Sequence, residues 1–293
     1  MQKYIDSFQR FLKLNDQQMR QIQQVSLQIV LLVIGLIVLN WFIGGVVTVL
    51  FGFIPASSVY AQWIPTLFKN FLLGISGYVL FQKISNGRAE DLFLSASRDF
   101  IGYPHWFVGS VVGLLVFVLL IGFLFIRKQV SFVDITFSTT LFVNILFILS
   151  YTWIEEIIFR GMLQHCLAKI HKLAAVFVVW LIYLIYVRWF SDGSGFNVFY
   201  GLFLGLITYW NGDILFGLGF GFVWRLFQLI LGWKVRGLVY QKVLFDFSLK
   251  NNDILLEVAD LDGLPITNIV FLLLSLMLLA SIGWTYYRSR KTI

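Results

Sequence analysis

The sequence predicts an all-α polytopic membrane protein: about eight transmembrane helices in one bundle, with a short β-hairpin in an extracytoplasmic loop. Three observations carry this reading. Hydrophobic residues make up 59% of the chain and charged residues 13%, against roughly 45–50% and about 25% in soluble domains. Apolar runs recur along the chain, most of them near the length of about 20 residues that crosses a bilayer. One late segment, 232–267, breaks that rhythm with strand-like text.

Residues 1–25 are polar and form a cytoplasmic amphipathic segment. Tyr4, Ile5, Phe8, Phe11, Leu12, Met19 and Ile22 recur mostly at three- and four-residue steps. That pattern suits a helix lying on the membrane surface, and suits equally a helix capping the bundle. A polar start followed by so long an apolar run predicts no cleavable signal. No break in composition marks a soluble domain, so 26–293 reads as one bundle. The candidate spans are roughly Ser26–Ile54, Trp63–Phe81, Trp106–Ile126, Phe137–Phe159, Leu173–Phe190, Phe196–Trp210, Ile214–Leu231 and Ile266–Tyr286. The first is long enough to be tilted, and the sixth is short.

Within 232–267, Val243–Leu249 and Ile254–Ala259 flank Lys250–Asp253, which reads as two strands around a turn. Phe245, Phe247, Leu249 and Asp253 would there present a surface to a partner, or form a lid on the bundle. With the N-terminus inside, the inner segments hold twelve Lys and Arg, among them Lys83, Arg88, Lys169 and Lys172, against six outside. Both termini are therefore expected in the cytoplasm.

The net charge of +7 is dispersed among the spans. It fits loops facing lipid head groups and excludes a nucleic-acid surface. The single cysteine, Cys166, excludes an intramolecular disulfide. No His-Glu-x-x-His and no phosphate loop occurs, so no metal or cofactor is expected. His165 and His171 read as polar turn residues before they read as metal ligands. Gly201, Gly205, Gly217 and Gly221 have the spacing of close helix packing.

The decisive text is Glu155-Glu156-Ile157-Ile158-Phe159-Arg160-Gly161, inside an apolar run. A charge in the bilayer is costly unless it is paired or wet. Residues equally far from the turn of a helical hairpin share a height. Glu155 and Arg188 lie on the order of 20 Å from the turn near His171, and Arg225 lies at a similar depth. Glu155, Glu156, Arg188 and Arg225 are thus expected in one layer, with Arg160 able to pair along its own helix. Such a layer is either a lock between helices or a functional site.

This motif, Glu-Glu-x-x-Phe-Arg-Gly at the end of an apolar span, resembles the signature of the CPBP family (CAAX proteases and bacteriocin-processing enzymes, also called ABI). The flanking Trp153–Leu163 and the later Phe203–Leu215 fit the same pattern, and the likeness covers about residues 138–231. The resemblance implies a polytopic intramembrane protein. If the chain is active, it implies a glutamate endopeptidase using Glu155, Glu156 and Arg160. Active members also carry a histidine at the end of the next span, then a second histidine with an asparagine four residues on. Here those positions fall on Arg188, Gly221 and Arg225. A glutamate held by arginine is a poorer base.

The resemblance therefore implies a non-catalytic scaffold or regulator, linked to cell-wall processes or bacteriocin immunity. Its setting would be the cell membrane of a Gram-positive bacterium. Its partner would be a membrane or cell-wall enzyme, met through the outer loop. A small-solute transporter is a third reading, since paired intramembrane charges also mark transport paths. It lacks the internal repeats many transporters show.

Overall fold

A computed structural model describes residues 16–54, 63–85, 105–128, 130–135, 137–138, 140–190, 198–232, 244–249 and 265–291. Among these residues the chain forms eight helices and two strands. In order they are α1 Asp16–Phe51, α2 Trp63–Ser85, α3 His105–Ile126, β1 Val130–Ile135 and α4 Leu141–Ala168. Then follow α5 Lys172–Phe190, α6 Tyr200–Asn211, α7 Leu215–Ile230, β2 Phe245–Leu249 and α8 Pro265–Lys291. Each predicted apolar run coincides with a helix. Five helices, α1, α2, α3, α4 and α8, are long and apolar enough to cross a membrane. The architecture is that of an all-α, multi-pass membrane protein.

Helix α1 runs unbroken from Asp16 to Phe51, through the expected boundary at residue 25, and buries Met19 and Val25. No proline or glycine interrupts 16–34, and its glutamines are good helix formers. Residues 1–15 lie outside the described residues.

Of the predicted hairpin, the described residues include the first strand, β2. β2 pairs antiparallel with β1, in the register Val130↔Leu249 to Ile135↔Phe245, with an irregularity between Phe132 and Asp134. The expected second strand, 254–259, and Asp253 lie outside the described residues. Of Phe245, Phe247 and Leu249 only the backbone is described. β1 escaped the sequence reading because six residues between two long apolar runs look like a plain connection. Its β-branched, aromatic composition was the available signal.

Polar links sort the helix ends into two groups. Gln21 Nε2 donates to the Lys169 carbonyl at 2.9 Å, and Lys169 Nζ to the Ser85 carbonyl at 3.4 Å. His105 meets Asp213. The start of α1 and the start of α3 thus share an end with the α4–α5 and α6–α7 turns. At the opposite end β1 meets β2, and the Val198 amide donates to Asn268 Oδ1 at 2.8 Å.

Helix α4 sits at the centre. From Glu156 to Gln164 it is π-helical, and every residue there except Ile158 is buried. Nine residues exceed the usual single-turn π insertion. Around it, α3 and α7 approach through glycines. A Cβ at Gly109 would strike the Phe216 carbonyl, and one at Gly219 the Trp106 carbonyl. Phe117, Phe220, Trp224, Phe203 and Phe271 form a cluster of edge-to-face, tilted and stacked rings that fills the middle. On the outside, Trp41, Val49, Leu119 and Met277 are among the exposed apolar side chains that lipid would cover.

Candidate functional site

The glutamate motif lies where α4 passes into its π-helical stretch, and its charges form two tiers. In the first, Glu155 is paired with Arg225 of α7 through a direct contact between Oε2 and Nη2. Arg225 Nη1 donates to Thr152 Oγ1 at 2.7 Å. Its guanidinium also sits 5.1 Å from the Tyr151 ring centre and 5.9 Å from that of Tyr200. In the second tier Arg160 donates from Nη1 to Glu156 Oε1 at 3.1 Å, along the helix. Its other arm, Nη2, reaches the Gly201 carbonyl at 3.3 Å, and the group lies 5.0 Å from the Tyr183 ring centre.

Two carboxylates thus face two guanidiniums, and all four residues are buried: Glu155 2%, Glu156 1%, Arg160 2% and Arg225 6% exposed. Pairing of this kind is what makes charge tolerable in a low-dielectric interior. The aromatic faces add cation–π attraction, which grows when the cation is desolvated.

The positions that the resemblance singles out can now be placed. Arg225 stands where the asparagine is expected and holds Glu155 directly. Gly221, at the second histidine position, has no room for a side chain. A Cβ there would lie 2.6 Å from Tyr200 Oη and 3.0 Å from Thr152 Cγ2. Arg188, at the first histidine position, lies in α5, and its side chain falls outside the described residues.

The glycines do more than let helices approach. A Cβ at Gly217 would lie 2.6 Å from Glu156 Oε2, so the missing side chain makes room for the carboxylate. On α6, Gly201 and Gly205 bring their backbone to α4. Gln164 Nε2 donates to the Gly205 carbonyl at 3.0 Å, one turn on from the Arg160–Gly201 bond. A carbonyl has two lone pairs, so it accepts this bond and keeps its helical one. The spacing Glu156, Arg160, Gln164 was the sequence signal for this polar stripe. The aromatic partners gave none, because they come from other helices, and the glycine spacing signalled close packing without saying which helix it met.

Sequence reasoning also missed a third buried pair, His105 with Asp213, whose side chains are 9% and 0% exposed. The two are 108 residues apart, so no local spacing joins them. Of the other histidines, His171 Nδ1 accepts the Ala174 amide at 3.1 Å and so caps α5. His165 packs edge-on against Phe81. Among the described residues no three His, Cys, Asp or Glu side chains gather as a metal site would need. A cleft reaches the tiers from the α4–α5 turn, but its walls stop at Arg160 and include neither glutamate. No protein-family model, curated protein or solved structure matches the chain.

Proposed function

We propose that this chain is a CPBP-type membrane protein that has given up proteolysis and serves as a scaffold or regulator. The observation that carries the reading is the buried Glu155–Arg225 pair. A general base must reach a water and a substrate carbonyl. Here one carboxylate is tied to α7 by a guanidinium and the other to Arg160 along its own helix. The space next to Tyr200 and Thr152, where a second histidine would stand, is closed.

In this reading the chain crosses the bilayer eight times with both termini in the cytoplasm. The two-ended sorting of polar links is what eight crossings require, with β1 and β2 together outside. The outer sheet, and the loop carrying Phe245, Phe247, Leu249 and Asp253, are the surface offered to a membrane or cell-wall enzyme. A role in cell-wall processes or bacteriocin immunity rests on the resemblance alone.

The working endopeptidase remains a second reading because of one atom. Glu156 Oε2 is buried and has no hydrogen-bond partner among the described residues, as a base waiting for water would. Glu155→Gln and Glu156→Gln separate the two readings. For a structural lock, Glu155→Gln lowers thermal stability and biological function together. For a peptidase, purified protein cleaves a candidate peptide, and either variant abolishes cleavage at unchanged melting temperature. That second result would defeat the scaffold reading.

A further inference from the structure

A cleft of about 490 Å³ opens beside the α4–α5 turn. Arg160, Gln164, Lys169, Lys172, Thr208 and Asp213 are in its walls. The charge there is lopsided. Asp213 is engaged by His105, and Arg160 by Glu156. Lys169 and Lys172 stand exposed at the mouth. The bond from Lys169 Nζ to the Ser85 carbonyl is a long one at 3.4 Å.

Deeper in the wall, three polar atoms have no hydrogen-bond partner among the described residues: Arg160 Nε, Gln164 Oε1 and Thr208 Oγ1. Their residues are only 2%, 5% and 8% exposed. One atom donates, one accepts and one does both. Folded proteins rarely leave such groups unsatisfied.

We infer that this cleft binds the head of a hydroxyl-bearing phosphate ester. The lysines meet the phosphate at the mouth. Small rotations of these side chains uncover the three wall atoms, which are otherwise closed to water. Gln164 and Thr208 then take the hydroxyls below the phosphate, and Arg160 Nε–H donates to an ester or hydroxyl oxygen. An apolar ligand would leave all three wall atoms unmatched, and a cation would face two lysines. A phosphate with neighbouring hydroxyls satisfies donor, acceptor and charge together. Such a head exists on an anionic phospholipid in the adjoining leaflet, and also on a soluble polyol phosphate. The inference does not depend on whether the glutamates are catalytic.

The test uses the full chain purified in detergent. Native mass spectrometry measures retention of phosphatidylglycerol against phosphatidylcholine, and added glycerol 3-phosphate serves as competitor. Phosphatidylglycerol should be retained about tenfold more than phosphatidylcholine, the effect of roughly one phosphate contact. Lys169→Gln with Lys172→Gln, both at exposed positions, should remove that preference at unchanged melting temperature. Thr208→Val should weaken it while keeping the side-chain shape. Displacement of the lipid by glycerol 3-phosphate identifies a soluble ligand. Retention that glycerol 3-phosphate leaves untouched identifies the lipid. Equal retention of the two lipids, or a preference that survives the lysine variants, overturns the inference and leaves a cleft that holds water alone.

Discussion

At the scale of single residues, a side chain's role here depends on what it faces across the bundle. Glu155 and Glu156 are neighbours in sequence, yet one is tied to α7 and the other to α4 itself. Removing one partner leaves a buried charge alone. Glu155→Gln, which strands Arg225, should destabilise the protein by about 3–5 kcal/mol. Glu155→Gln combined with Arg225→Met should recover part of that, because no charge then stays unpaired. Chemical or thermal unfolding in detergent reads both, and a double variant no better than the single one would sink the lock. Gly221 makes a second case. Gly221→Ala pushes a methyl against Tyr200 Oη and should cost about 1–3 kcal/mol through overpacking. Adding Tyr200→Phe removes the oxygen in the way, so the double variant should be more stable than Gly221→Ala alone. Installing a histidine at position 221 should therefore fail to produce a folded enzyme.

At the scale of elements, the positions of the helices were largely legible and their contacts were not. Runs such as Trp106–Ile126 and Ile266–Tyr286 announce themselves because a bilayer imposes a length and an apolar character on each segment separately. Which helix meets which is set by small residues scattered over distant segments. Helices α3 and α7 cross through Gly109 and Gly219, where backbone meets backbone. Gly219→Val should block that crossing and lower the yield of folded protein sharply. Gly122, on the same α3, has open space around it, so Gly122→Val should be tolerated within about 0.5 kcal/mol. Comparable losses at the two glycines would show that the crossing is not tight. β1 illustrates the other limit. A six-residue strand has little periodicity to read, and its partner lies more than a hundred residues on.

At the scale of the whole molecule, the pairing of β1 with β2 and of His105 with Asp213 fixes which helix ends lie together. Ser131 and Ser248 are register partners, and directly opposed strand residues have the Cα separation a disulfide needs. Ser131→Cys with Ser248→Cys should crosslink under oxidation, visible as a mobility shift reversed by reductant. Single cysteines test sidedness. Asp134→Cys should react with an impermeant maleimide on intact cells, and His171→Cys only after permeabilisation, both residues being exposed. Cys166 is buried and should stay unlabelled in both. Reaction in the reverse pattern would overturn the placement of the termini.

By itself the sequence determined that the chain lives in a membrane, where its helices run, and that Glu155, Glu156 and Arg160 sit in apolar surroundings needing compensation. Those properties are local: composition and spacing suffice to read them. The tertiary structure decided that Arg225 answers Glu155, that Tyr200 closes the space beside Gly221, and that His105 answers Asp213. It also decided that β2 turns to β1. Each of these joins residues from separate helices or loops, and depth along a helix says nothing about which way a side chain points around it. Rotation about the helix axis is set by packing against the neighbours, so the partners emerge only when the bundle is assembled.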